Sequence, residues 1–176
     1  MSDRYAPATA ALSSIAMPVV VVGAAEGGER SCATGTVMYT SLVPPEVAIA
    51  LHPGSRTCGL VRAAGEFSIS ILGEDQRDVA DRAGRSAPGP DKLAATGIEP
   101  VEAPSGFAAP GVAGSIAVLW CRVTREVETG DHVLVIGRVE EHRSLGSTAV
   151  PLLRTARRYA ALGGWRSDAT DDRYPL

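Results

Sequence analysis

Aromatic side chains are scarce in this 176-residue chain, at 5%, and cysteine is scarcer still, with three residues. Cys32, Cys58 and Cys121 are an odd number at wide spacing with no C-x-x-C pair, which argues against a disulfide framework and against a zinc knuckle. Buried free thiols in a reducing compartment are the simpler reading. Long apolar runs are missing: the longest strongly apolar stretch, Val19 to Val22, is far too short to cross a bilayer. Residues 1–16 lack the apolar centre of a secretory signal, so a cytoplasmic location is expected. An excess of one charge sign is missing as well. The formal charge is −3 with both signs mixed along the chain, which leaves no electrostatic footprint for nucleic acid or an anionic membrane. Neither a G-x-S-x-G elbow nor an H-E-x-x-H pattern occurs, so a hydrolase and a bound metal are not expected. Glu140-Glu141-His142 reads as a solvated strand edge.

What is present suits an ordinary globular protein: 45% hydrophobic and 21% charged residues over a length that suits one domain, residues 1–176, with a polar tail from 163. Ala6 to Ala16 predicts a short helix ended by Pro18, and the β-branched run Val19–Val22 predicts a strand. Gly23 to Arg30 reads as a glycine-rich loop, after which Ser31 to Thr40 returns as the second arm of a hairpin. Val47, Ile49 and Leu51 alternate with small residues, as do Phe67, Ile69 and Ile71 with serines, so each stretch reads as a strand. Ser55 to Ala64 predicts a helix closed by Gly65, and Asp75 to Ala83 a second closed by Gly84. Ser115–Glu128 and His132–His142 are joined at Thr129-Gly130-Asp131 and predict an antiparallel ribbon. Strands joined by tight turns and short helices point to a mainly β fold, an antiparallel barrel with short peripheral helices.

Chemistry is harder to place. Gly23, Ala25 and Gly28 approximate a dinucleotide phosphate loop after a strand, but such a loop must open a helix, and the residues that follow are β-branched. A plain hairpin is the better reading. Two features remain. Thr34, Thr36, Tyr39, Thr40 and Ser41 concentrate hydroxyls at one end of an extended segment before Pro44-Pro45. Ser55-Arg56-Thr57 puts a hydroxyl at a helix N-cap with a guanidinium beside it, a combination that serves simple capping or phosphate binding.

Five stretches taken together, Ser31 to Pro45, Ser55 to Leu72, Asp75 to Ala83, Gly130 to Val139 and Pro151 to Tyr159, resemble the flavin reductase-like family of FMN-binding split barrels in order and spacing. The resemblance implies a split-barrel homodimer that passes hydride from NADH or NADPH to FMN or FAD and supplies reduced flavin to a partner monooxygenase. It implies that Thr34, Gly35 and Thr36 line the isoalloxazine with Thr40 and Ser41 close by. By the same resemblance Ser55, Arg56 and Thr57 hold the flavin phosphate, Ser70 is a polar site position, and His132 stands on the nicotinamide side. Val43, Gly35-Thr36 and Ala83 depart from the residues common in that family. A flavin-retaining oxidase or dehydrogenase, or a non-catalytic flavin or haem carrier, shares the same kind of barrel. Arg154, Arg157 and Arg158 read either as a solvated face or as partners for a pyrophosphate or 2′-phosphate.

Overall fold

Val19 to Val22 show no alternation because neither face of their strand meets water. The computed structural model describes residues 6–147 and 149–163. After the helix α1 (Ala6–Leu12), strand β1 (Met17–Glu26) turns into β2 (Glu29–Leu42), and β3 (Pro45–Leu51) follows. Helix α2 (Arg56–Ala64) and β4 (Glu66–Ile71) come next, then a 3₁₀ turn at Glu74–Gln76 and the helices α3 (Arg77–Ala83) and α4 (Lys92–Thr96). The chain ends its described part with β5 (Pro100–Val101), β6 (Gly111–Val112), β7 (Ala117–Glu128), β8 (Val133–Ser144), β9 (Leu153–Thr155) and β10 (Arg158–Ala160). The strand order β1-β2-β3-β8-β7-β4 closes by pairing β4 with β1, giving a six-stranded antiparallel barrel, and β9 and β10 extend the sheet from β1. Among the described residues no helix is long and apolar enough to cross a membrane.

Val20, Val22 and Ala24 point into the barrel with Ile49, Phe67, Ile69 and Val135. Val19 and Val21 point outward into a second apolar cluster with Cys32, Leu72, Ala80, Ala83 and Leu93, so β1 is the partition between two cores. Burial on both faces is what turns an alternating pattern into a continuous apolar run. The scarce aromatics fill central positions: Phe67 and Trp120 are the largest fully buried side chains, and Trp120 Nε1 donates to Ala109 O at 2.8 Å. All three cysteines are free and buried, and burial pushes the Cys121 thiol up to about 12.

Three local features depart from the sequence reading. The hairpin loop is two residues, Gly27-Gly28 at φ +57 and +85, and Gly23 to Glu26 belong to β1. Gly23 is required there for space: a Cβ would lie 2.1 Å from the Pro110 carbonyl oxygen. Helix α1 ends at Leu12, well before Ala16, because Ser13 and Ser14 turn their hydroxyls back onto the Ala10 and Ala11 carbonyls. Helix α4 forms in a stretch for which the sequence reading gave no element; Asp91 caps it, accepting from Ala94 N at 3.1 Å. The polar tail beyond residue 163 lies outside the described residues.

Gly23→Ala is expected to lower the unfolding free energy by about 3 kcal/mol, since a backbone carbonyl cannot step aside. Gly28→Ala, with open space around it and only a left-handed φ to oppose it, is expected to cost about 1 kcal/mol. Urea midpoints of the two variants measure the difference.

Candidate functional site

Helix α2 starts cleanly. Ser55, extended at φ −80 and ψ 144, caps it by accepting from Cys58 N at 3.2 Å, and Gly65 closes it in the left-handed region. The N–H groups of Arg56 and Thr57 come before the first intrahelical bond, and the first turn has no acidic residue to offset the positive helix end. The Thr57 hydroxyl is buried and shares a hydrogen bond of 3.0 Å with Ser31 of β2. The Arg56 guanidinium reaches across to the segment after α3, donating to Gly89 O at 2.5 Å and Ala87 O at 3.4 Å.

These groups border a cavity of about 450 Å³ between α2, β2 and the loop that joins α3 to α4. Its far wall is fastened by two side chains. The Thr34 hydroxyl donates to Ala80 O of α3, and Lys92 Nζ donates to Cys32 O at 2.7 Å and to Ala83 O at 2.8 Å. Lys92 is only 8% exposed, and its third N–H is not needed by either carbonyl. Burial holds its pKa below the usual lysine value and pushes the neighbouring Cys32 thiol up. Arg56, Arg85 and Lys92 line the cavity, and among the described residues no carboxylate does. A positive, hydroxyl-bearing pocket at the open start of a helix can hold an organic phosphate.

The structure brings Thr34, Ser55, Arg56 and Thr57 together and leaves other expected residues outside. Gly35 and Thr36 follow Thr34 on β2 and are half-buried, but they do not border the cavity. Thr40 and Ser41 are about 20 Å further along the strand at 3.3 Å per residue, past a bulge between Tyr39 and Ser41. Ser70 is fully buried in β4, where its oxygen accepts from Val112 N at 3.0 Å and so joins β4 to β6, and it does not border the cavity. His132, at the β7–β8 turn, does not border the cavity either. Its ring is held by Asp131 at 2.8 Å and stands 6.2 Å from the ring of His52, edge to face. His52 in turn accepts from Gly54 N at 3.1 Å, and Gly54 is a cavity residue. The His132 contact holds the Asp131 carboxyl below the usual carboxylate range. Sequence reading missed Lys92, Ser31 and the 84–87 loop; the available signal was Asp91 as a cap immediately before a lysine in an otherwise apolar turn.

Residues 12–163 match the model of the flavin reductase-like domain family. The chain belongs to that family. It is 38% identical over 145 residues to an NADH:riboflavin 5′-phosphate oxidoreductase of Streptomyces pristinaespiralis, covering 81% of this chain and 80% of that protein. It is 35% identical over 154 residues to the reductase component of 4-hydroxyphenylacetate 3-monooxygenase of Thermus thermophilus, covering 86% and 93%. Among solved structures, a nitrilotriacetate monooxygenase component B homologue of Mycobacterium thermoresistibile superposes with a TM-score of 0.81 at 26% identity, covering 99% of this chain and 98% of that one. An NADH:FAD oxidoreductase of Streptomyces globisporus has the same fold, with a TM-score of 0.82 at 24% identity and coverage of 93% and 95%.

Lys92→Met is expected to lose about 2 kcal/mol of stability by leaving two carbonyls without their charged donor. The sign with pH follows from the lowered pKa: stability from this group is full above 10.5 and is lost as pH falls through the folded value. The wild type should therefore gain on Lys92→Met as pH rises toward 10.5, which urea unfolding at a series of alkaline pH values measures.

Proposed function

We propose that this chain is an NAD(P)H-dependent flavin reductase whose α2 pocket holds the phosphate end of FMN or FAD. The observation that carries the assignment is the cavity lining: three cationic side chains, two helix N–H groups ahead of the first intrahelical bond and, among the described residues, no carboxylate. When bound, the flavin accepts hydride from the reduced nicotinamide, chemistry that belongs to the two cofactors. The protein's part is to bind and orient. Ser55 fixes the helix start, Thr57 and Ser31 brace it from beneath, and Arg56 and Lys92 supply positive charge. Thr34, Gly35 and Thr36 continue along β2 from the pocket, which suits a flat ring system leaving the phosphate end. Asp131 and His52 set the orientation of His132, whose role is on the nicotinamide side. No protein nucleophile is required.

The β2–β3 turn supports a homodimer. Met38, Tyr39, Leu42 and Val43 are exposed together, Val43 at 92%, and a patch of this kind calls for a partner. Several relatives are reductase components of two-component monooxygenases, which supports delivery of reduced flavin to such a partner. Three free buried thiols support a reducing, cytoplasmic setting.

The decisive measurement is NADH and NADPH consumption by the purified protein with added FMN, FAD or riboflavin. Rapid flavin-dependent turnover is expected, and a tightly retained, slowly reduced chromophore would instead indicate a flavin-retaining oxidase or a carrier. Arg56→Ala is expected to raise the Kd for FMN about tenfold while leaving riboflavin, which has no phosphate, unchanged; equal losses for both would mean that the residue only supports the loop. Leu42→Asp with Val43→Asp is expected to halve the mass seen by sedimentation.

A further inference from the structure

A second basic cavity opens on the other end of α3. Arg77 and Asp81 of α3, Arg154 of β9, Arg157 of the β9–β10 turn, and Arg158 and Tyr159 of β10 border about 490 Å³. Four guanidinium groups face it against one carboxylate. That carboxylate is engaged, since Tyr159 donates its hydroxyl to Asp81 Oδ1 at 3.0 Å. None of the four arginines forms an ion pair among the described residues, whereas Arg30, Arg62, Arg82 and Arg122 all do.

The cluster is built and not merely crowded. Arg77 and Arg154 both stand over the Tyr159 ring, at 5.4 and 5.9 Å from its centroid, so one aromatic ring anchors two of the guanidinium groups at the cavity. The turn that carries Arg157 is strained: Ala156 and Arg157 hold φ of +48 and +61, a region that costs side-chain-bearing residues about 1 kcal/mol or more each. Glycine would relieve that cost in a two-residue hairpin turn, and arginine here puts a cation at the rim of the cavity instead. Planar guanidinium groups in convergent positions match phosphate oxygens. Along α3, Arg77 is about 9 Å from Ala83, which borders the flavin-phosphate pocket.

We propose that Arg77, Arg154, Arg157 and Arg158 form a second phosphate site, which takes a phosphate group of the nicotinamide nucleotide while the α2 pocket holds the flavin. The inference rests on the reductase reading for its choice of ligand. It extends that reading by assigning a residue set to nucleotide recognition, separate from the residues that hold flavin.

The test is steady-state flavin reduction by Arg154→Ala with Arg157→Ala, with Arg158→Gln as a milder companion and thermal melting to confirm folding. A rise of about tenfold in KM for the nicotinamide nucleotide is expected, with kcat and the FMN Kd held. If KM rises for NADPH alone, the site takes the 2′-phosphate; if it rises alike for NADH and NADPH, the site takes the diphosphate. An unchanged KM for both overturns the proposal. Titration calorimetry with 2′,5′-ADP and with ADP-ribose decides the site independently of turnover. Weaker binding of either probe to the double variant supports it even if the wild type reduces no flavin, an outcome that would count against the reductase reading alone. Equal binding to both proteins overturns the site.

Discussion

Val20, Val22 and Ala24 need a barrel on one side of β1, and Val19 and Val21 need a cover on the other. Meeting both demands at once fixes most of the molecule. The inward set is satisfied when β4 returns to pair with β1, with Val20 opposite Ile71 and Val22 opposite Ile69, which closes the six strands. The outward set is satisfied by α3 and α4, which bring Ala80, Ala83 and Leu93 onto Val19, Val21 and Cys32. Those two helices can cover β1 only if the chain crosses between them over β2. The crossing segment is the 84–87 loop that walls the α2 cavity. The candidate site is therefore the gap left between a barrel helix and the cover of the second core.

Electrostatics explain why that gap stays open. Bringing Lys92 out of water disfavours its charged form, and only two carbonyls offset the loss. Arg56 and Arg85 add like charge across the same space, so closing the walls on one another would bring cations together without a counterion. An anion between them removes both penalties, and the Lys92 and Thr34 hydrogen bonds hold the walls at fixed spacing before it arrives. The ligand then meets a pre-formed site and loses little affinity to reorganisation.

The barrel was legible because its strands obey local rules. Alternation marked β3 and β4, the valine run marked β1, and Ser55 and Gly65 bracketed α2 within a residue. Errors arose where a local signal competed with a tertiary one. Gly23 looks like a turn residue, yet its reason is the Pro110 carbonyl 87 positions away, which no window of sequence shows. Ser70 is a site position by resemblance alone, and in the fold its oxygen accepts from Val112 N, a tie between β4 and β6 that no local pattern shows. Of the site, the helix-start half was legible from Ser55-Arg56-Thr57, since capping chemistry is local. The Lys92 half was not, because a buried lysine is defined by the carbonyls it reaches, Cys32 and Ala83, and those are distant or on another element.

Helix α3 ties the two basic cavities to one another. Its buried stripe, Ala80 and Ala83, is set by the second core, so its rotation is not free. With that stripe fixed, Arg77 and Asp81, four residues apart, must share another face, and Tyr159 meets them there through its ring and its hydroxyl. The Ala80 carbonyl on the same helix takes the Thr34 hydroxyl, and Ala83 O takes Lys92. A seven-residue helix thus carries groups that hold the wall of one basic cavity and groups that line the other, and its position is dictated by apolar packing beneath it. Any change that shifts α3 on β1 must alter both cavities together, so Ala80 and Ala83, packed in the second core, set the spacing between them.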